Sequence, residues 1–498
     1  MNISVIGCGY LGAVHAACMA ALGHHVIGVE KDQDRITALR NGEPPFYEPG
    51  LAQLLLEGRA SGRLRFTDDT DAVRDCDVHF VCVGTPQRPD SDAADLRALD
   101  AVVTSLLPLL RPGQVVVGKS TVPVGTAARL TQRIKDACHG ADLVWNPEFL
   151  RESTAVEDTM RPDRLVYGMD SLATPERREH ATRVLDEVYA PLLRNNVPRM
   201  VTDHATAELV KVAANSFLAT KISFINSMAE ICHATGGDVD VLADAIGMDA
   251  RIGRKFLDAG LGFGGGCLPK DIRAFRARSR ELGVTSAADL LDAVDEANAT
   301  ARANAVEAVR SQLGGRLEGA KVAVLGATFK PNSDDIRDAP GLDIATRLYI
   351  AGAEVSVTDP YGCDNARRAH PALNVVEDLE AAVADADVVL LATGWDEYLG
   401  LDPEWLGTRV AGRRVVDGRG VLDAQRWRAA GWTLTSVGRP SVPTSASAKR
   451  GSARGLEAAS LVTNSKRFRR EDARSANRAA ASEQRAVGAA SGQNRRRS

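Results

Sequence analysis

No run of about 18 or more uncharged apolar residues occurs in this 498-residue chain, which excludes a membrane-spanning helix. Nor is there a C-x-x-C pair: Cys8, Cys18, Cys76, Cys82, Cys138, Cys232, Cys267 and Cys363 are scattered. That argues against a zinc site or a disulfide framework, so no metal and a reducing, cytoplasmic setting are expected. Met1 to Gly7 show no basic n-region and no cleavage site, so no signal peptide is expected. None of the nine histidines lies in a chemistry-bearing motif, which argues against a His-based 2-hydroxy-acid dehydrogenase. The net charge of −4 conceals an asymmetry: residues 441–498 carry 13 Lys/Arg against 4 Asp/Glu, a balance of +9 that leaves −13 on the body. An acidic body does not offer a dedicated nucleic-acid surface. The Ser/Ala/Arg-rich tail has few large apolar residues, and is expected to be disordered and dispensable for catalysis.

What is present fits an ordinary globular α/β chain too long for one core. Short apolar runs (Ile3–Ile6, His25–Val29, Val78–Val83, Val115–Gly118, Leu165–Gly168) alternate with helical periods, as βαβ units on a parallel sheet do. From Ala205 to Thr235 neither Pro nor Gly interrupts apolar residues at helical spacing (Leu209, Val212, Ala213, Phe217, Ile222, Ile225), which predicts one long helix ended by Gly236-Gly237. A second α/β unit begins at Lys321 and continues through Glu354–Asp359, Asp387–Thr393 and Arg414–Asp417. The expected architecture is two Rossmann-like doubly wound domains joined by a long central helix and a helical middle domain. Its expected limits are 1–200, 201–312 and 313–440, with the tail beyond.

Six segments carry candidate chemistry. Gly7-Cys8-Gly9-Tyr10-Leu11-Gly12 follows the first strand and opens a helix, as a pyrophosphate-binding turn requires. Glu30 ends the second strand, where a carboxylate accepts from the adenine ribose 2′-hydroxyl and selects NAD over NADP. Gly84-Thr85-Pro86 and Lys119-Ser120-Thr121 end later strands and should line the cofactor. Asn146-Pro147-Glu148-Phe149-Leu150-Arg151-Glu152 sets two carboxylates and an Arg around aliphatics, the plain alternative being a capped helix start. Lys211 and Asn215 are four apart on the long helix and share a face, a plausible oxyanion clamp. The most specific segment is Gly262-Phe263-Gly264-Gly265-Gly266-Cys267-Leu268-Pro269-Lys270-Asp271. Its glycines let backbone approach a ligand, a basic residue three after Cys267 favours the thiolate, and an acid follows. Lys330, Arg337 and Arg419 lie at the edge of the second sheet, which has no G-x-G-x-x-G and should hold a different ligand.

Together these segments resemble the UDP-glucose 6-dehydrogenase family over about residues 1–440. The resemblance implies an N-terminal domain holding NAD, a C-terminal domain holding the uridine diphosphate, and a helical middle that makes a homodimer or larger assembly. It implies Cys267 as nucleophile and Lys211 with Asn215 as oxyanion stabilisers. Asp271 would act with Lys211 and a water as base, Glu148 in thioester hydrolysis, and Thr121 in holding the water. Glu30, Arg35, Thr85, Pro86, Ser120, Thr121, Glu152, Lys270 and Arg337 would line NAD. The nucleotide sugar, UDP-glucose, would contact Glu148, Phe149, Leu150, Arg151, Glu152, Lys211, Asn215, Phe256, Leu257, Asp258, Ala259, Gly260, Gly264, Lys330 and Arg419, with Arg251 of the partner subunit. Gly266 departs from the serine that the family usually places before the cysteine.

The chemistry has its own logic. A primary alcohol becomes an acid by two hydride transfers, and an aldehyde donates hydride only after a nucleophile has added to it. A cysteine meets that need and leaves a thioester for water to cleave. A sister enzyme acting on GDP-mannose or a UDP-N-acetylhexosamine, and a non-catalytic sensor of NAD and sugar nucleotide, are the rival readings.

Overall fold

The computed structural model describes residues 1–439; the expectations for the tail lie outside the described residues. The first sheet contains β1 (Asn2–Ile6), β2 (His25–Val29), β3 (Leu64–Thr67), β4 (Val78–Val81), β5 (Val115–Gly118), β6 (Asp142–Trp145), β7 (Leu165–Met169) and β8 (Arg199–Asp203). Its spatial order is β3-β2-β1-β4-β5-β6-β7-β8. The second contains β9 (Lys321–Leu325), β10 (Glu354–Thr358), β11 (Asn374–Val375), β12 (Val388–Leu391), β13 (Arg414–Asp417) and β14 (Thr433–Ser436), in the order β11-β10-β9-β12-β13-β14. Strands such as β4, β5 and β12 are buried along their whole length, because helices cover both faces of a parallel sheet. Strand order reverses between β1 and β4 and between β9 and β12, and ligands of such sheets bind in the crevice beyond those strand ends.

One pair departs from the parallel expectation: β6 and β7 run antiparallel, with Val144 opposite Met169 and Trp145 opposite Gly168. The connection from Asn146 to Arg164 does not cross back over the sheet. It stays at the end where β6 finishes and contacts the second sheet's loops, with the Ser153 hydroxyl donating to the Pro331 carbonyl at 3.3 Å. The next strand must therefore start at that end and run the other way.

Five helices position the site: α1 (Tyr10–Ala21), α2 (Thr126–Ala137), α3 (His204–Thr235), α4 (Leu268–Glu281) and α5 (Thr285–Gln312). The 32-residue α3 begins at the Asp203 cap, whose carboxylate accepts from the Thr206 N–H at 2.8 Å, and ends at Gly236 with φ of 76°. Its buried face is only partly the apolar one read from the sequence. Val212 and Ile225 are buried beside Ala207, Glu208, Lys211, Asn215, Ala219, Ser223 and Asn226, whereas Leu209, Phe217, Phe224 and Ile231 are exposed. On this side Asn215 donates to Asp271 of α4 at 2.6 Å and the Ser223 hydroxyl donates to the Val294 carbonyl of α5 at 2.7 Å. Among the described residues no helix is long and apolar enough to cross a membrane.

Candidate active site

The first turn of α1 is shaped to admit backbone contact with a ligand. Gly7 has φ of 88°, and a Cβ there would lie 2.6 Å from the Val83 side chain. At Gly12 a Cβ would lie 1.9 Å from the Gly7 carbonyl, so that glycine packs helix against strand; Gly9 faces open space, with nothing within 4 Å. Leu11 packs against the core, while the Tyr10 hydroxyl donates to Glu48. Glu30 is buried at the end of β2; it accepts from the Lys31 and Asp32 N–H groups at 2.9 and 3.0 Å and pairs with Arg35 at 3.1 Å. These residues suit a dinucleotide: Gly9 at the α1 N-terminus would admit a pyrophosphate, and the Glu30 carboxylate would accept from a ribose hydroxyl. The hydroxyls expected at the sheet edge mostly tie strand ends together. Thr85 donates to the Thr121 carbonyl and Ser120 to the Val83 carbonyl, each at 2.6 Å, and the Pro86 carbonyl accepts from Asp95 at 2.7 Å.

Cys267 stands immediately before α4, after a turn in which Gly265 has φ of 85°, and the Asp271 N–H donates to its carbonyl at 2.9 Å. Burial pushes its thiol up to about 12; the Lys211 ammonium opposes that, while Glu148, Asp271 and Glu152 add to it. This revises the sequence-based expectation for Lys270. Its ammonium lies 2.5 Å from the neighbouring Asp271, and Lys211 on α3 is the foremost cation that favours the thiolate, with Arg337 and Lys330 also acting on Cys267. Lys211 is buried and pairs with Glu148 at 2.9 Å. Burial works against its charge, but Glu148, Cys267 and Asp271 outweigh it and hold the ammonium above its ordinary value. Asn215, one turn further on, donates to Asp271 at 2.6 Å, which completes a buried link from α3 to α4. Thr121 lines a small cavity with Val212, Lys270 and Asp271.

The loop after β6 meets the second sheet here. Glu148 accepts from the Leu150 N–H at 2.7 Å; Phe149 carries the Arg164 guanidinium 3.8 Å above its ring, and Arg151 is held outward on Asp158 at 2.6 Å. Glu152 is buried against Arg337 at 3.0 Å, its carbonyl accepts from Lys330, and Arg337 also pairs with Asp335 at 2.6 Å. Burial first, then Asp335, pushes the Glu152 carboxyl up. At Gly266 a Cβ would fall 2.2 Å from the Arg337 guanidinium carbon, the far end of a flexible side chain that would have to shift to admit a serine. Gly264 closes against Asp338, where a Cβ would lie 2.4 Å from its carbonyl oxygen.

Of the stretch 256–260, Phe256 has φ of 65°, Leu257 is buried, Asp258 pairs outward with Arg254 at 2.8 Å, Ala259 packs against the Ile225 cluster, and the Gly260 N–H donates to Asn226 at 2.8 Å. Arg419 donates to the Ala392 carbonyl at 2.6 Å and the Phe329 carbonyl at 3.4 Å. Arg251 is exposed and pairs with Asp249 at 2.6 Å, apart from this cluster in its own chain. Among the described residues no cluster of His, Cys, Asp or Glu suits a metal ion.

Three organising residues were not singled out from the sequence. Asp359 ends β10 as Glu30 ends β2, but it turns inward and accepts from Ala327, Thr328, Trp395, Tyr361 and Gly362, with contacts of 2.8 to 3.1 Å. Glu208 ties α3 to the start of α2. Lys119 is buried and has no ion-pair partner among the described residues; its ammonium donates to the Asn146 amide oxygen at 3.0 Å, holding the turn before Glu148. Only its position in a Lys-Ser-Thr run after an apolar strand signalled it.

Burial lowers the Lys119 ammonium to about 8, whereas the unfolded chain keeps it near about 10.4. The buried charge therefore costs stability below about pH 8, and the cost disappears as pH rises through about 10.4. Relative to a Lys119→Met variant, the unmodified protein should gain on the order of 3 kcal/mol between those limits. Denaturant unfolding of both proteins at pH 7.5 and 10.4 checks this; an unchanged difference would mean that the amine is not desolvated.

Comparison with known proteins places similar sequence along most of the described chain. Residues 1–193 match the NAD binding domain of the UDP-glucose/GDP-mannose dehydrogenase family, residues 205–300 its central domain, and residues 323–424 its UDP binding domain. The UDP-glucose 6-dehydrogenase of Rhizobium meliloti (strain 1021) is 41% identical over 88% of this chain and 100% of its own length. UDP-glucose 6-dehydrogenase TuaD of Bacillus subtilis (strain 168) is 39% identical over 89% of this chain and 94% of its own. A solved UDP-glucose dehydrogenase from Pyrobaculum islandicum superposes with a TM-score of 0.78 at 39% identity, covering 85% of this chain and 95% of that one.

Proposed function

The chain belongs to the UDP-glucose/GDP-mannose dehydrogenase family, and we propose that it oxidises UDP-glucose twice, with NAD as acceptor, to UDP-glucuronate. The observation that carries this reading is the convergence of Lys211, Glu148 and Asp271 on the Cys267 thiol, where the loops of the two sheets meet. The similarity of about 40% to UDP-glucose 6-dehydrogenases supports the glucose substrate.

NAD, when bound, supplies the hydride acceptor for each oxidation. Asp271, through a water shared with Lys211, takes the proton of the primary alcohol as hydride leaves its carbon. Because desolvation keeps the Cys267 thiol protonated, it gives up that proton to the water shared by Asp271 and Lys211, which passes it to solvent, as sulfur adds to the aldehyde carbon. The negative charge growing on the former carbonyl oxygen is met by the Lys211 ammonium and the Asn215 amide. Loss of the second hydride turns the thiohemiacetal into a thioester. Glu148 then takes a proton from a water that Thr121 helps to hold; water displaces sulfur, and the thiol is regenerated. Lys330 and Arg419 supply positive charge for the substrate's phosphates on the second-sheet side, and Arg337 lines NAD. A spectrophotometric assay over a panel of nucleotide sugars tests the assignment: UDP-glucose should yield two NADH per molecule consumed, and a clear preference for GDP-mannose would overturn it.

The Glu30 carboxylate disfavours a 2′-phosphate, so kcat/KM with NADP should be poorer than with NAD by at least about tenfold, or about 1.4 kcal/mol. In Glu30→Ala the two values should draw together. Equal efficiency of the unmodified protein with both cofactors would refute the role.

We further propose a homodimer formed through α3, in a cytoplasmic setting with neither nucleic acid nor membrane as partner. Phe217, Phe224 and Ile231 recur every seven residues on the exposed side of α3 and make an apolar seam that a second copy would cover. Sedimentation velocity should give a dimer that Phe224→Lys dissociates; a monomeric unmodified protein would overturn the proposal.

A further inference from the structure

We infer that Glu208 is a positioning residue that locks the Thr121 loop to the helix bearing Lys211 and Asn215. It sits on α3, one turn before Lys211, and is only 2% exposed. Its two oxygens accept from the Gly125 N–H at 2.7 Å and the Ala127 N–H at 2.6 Å, at the entrance to α2. Helix N-termini are normally capped by a Ser, Thr, Asp or Asn side chain of their own. Here the cap position is Gly125 with φ of 100°, which has no side chain to offer, and the acceptor comes from another helix 81 residues away in sequence for Ala127.

Among the described residues Glu208 has no ion-pair partner, so its buried charge depends on those backbone donors and on the α2 dipole, with Arg278 nearby on α4. Burial nevertheless pushes its carboxyl up to about 7, which shows how little else compensates it.

The segment so held runs from Lys119 to Thr126. Lys119 and Ser120 fix its first end, through Asn146 and Val83. Glu208 fixes its second end, and Arg278 adds a contact at 3.1 Å to the Val124 carbonyl. Between the two ends Thr121 to Val124 form one wall of the cavity whose other wall includes Lys270 and Asp271. Any slack at the α2 entrance changes the separation of Thr121 from Asp271. Because Glu208 shares a rigid helix with Lys211 and Asn215, it sets Thr121 in register with both.

The proposal rests on the reading that Thr121 serves the reaction, and a double-mutant cycle tests the two separately. In Glu208→Gln one amide oxygen remains to accept a single N–H, while the –NH₂ group faces the other donor. Its kcat should fall about tenfold or more with KM for UDP-glucose within about twofold, and adding the change to Thr121→Ala should cost under about twofold further. Full kcat in folded Glu208→Gln, or equal losses in both backgrounds, would overturn the positioning role while leaving Thr121 in place. Full kcat in Thr121→Ala would instead remove the reading of Thr121 on which it rests. Should Glu208→Gln not fold, Glu208→Asp, which keeps the charge but draws it back by one carbon, enters the same cycle. If neither variant folds, Glu208 is a structural cap only and the proposal fails.

Discussion

Cys267→Ala should produce no UDP-glucuronate, with overall turnover reduced by at least about 10⁴-fold, as when a nucleophile acting within a catalytic unit is removed. The first oxidation needs no sulfur, so slow release of one NADH per UDP-glucose remains compatible with the mechanism. The second does need it, because the aldehyde carbon has no hydride to give until something has added to it. Cys267→Ser separates the steps further. Its hydroxyl can still add, and the ester left after hydride loss hydrolyses more slowly than a thioester, so a covalent sugar adduct should accumulate. Intact-protein mass spectrometry after mixing this variant with UDP-glucose and NAD reads that adduct directly. Two-step turnover at the normal rate in Cys267→Ala would remove the covalent mechanism, and with it the case for this loop as the catalytic centre.

Lys211→Met should lower kcat by about 10²–10³-fold, the cost of deleting one buried donor aimed at a developing oxyanion. The loss has two sources. Lys211 is the foremost cation that opposes the desolvation of the Cys267 thiol, and it is the ion-pair partner of Glu148 at 2.9 Å. Removing it drives the thiol further up and leaves a buried carboxylate unpaired. Alkylation of Cys267 by iodoacetamide, which requires the thiolate, should therefore slow at fixed pH. Lys270→Met should leave that alkylation rate close to the unmodified value, because the Lys270 ammonium is engaged by Asp271 at 2.5 Å. Equal slowing in both variants would return the thiolate-stabilising role to the residue adjacent in sequence.

These two lysines mark where reading along the chain stopped being sufficient. The G-x-G-x-x-G turn, Glu30 at the end of β2, and the span of α3 with its Gly236 stop were all legible, because each depends on residues within one or two turns of chain. The glycine-flanked cysteine was legible too, since only a thiol that must meet a ligand needs such an approach. Five strands, β3, β6, β8, β11 and β14, were not foreseen. They are two to five residues long, and each includes at least one polar residue that shortens the apolar run. The reversal of β7 was equally hidden, because it follows from where the loop before it makes its contacts.

By itself, then, the sequence determined most strands of both sheets, the long helix and the dinucleotide turn, and it singled out Cys267 as the candidate nucleophile, since local sterics and periodicity act within short stretches of chain. Tertiary structure decided which cation serves that nucleophile, which carboxylate caps α2, and why the polar face of α3 points inward. Those outcomes depend on electrostatics at a few ångströms between groups such as Asn215 and Asp271, 56 residues apart in the chain and 2.6 Å apart in space. Coulomb interactions and desolvation act through space, and only the fold specifies which charges come close enough to feel them.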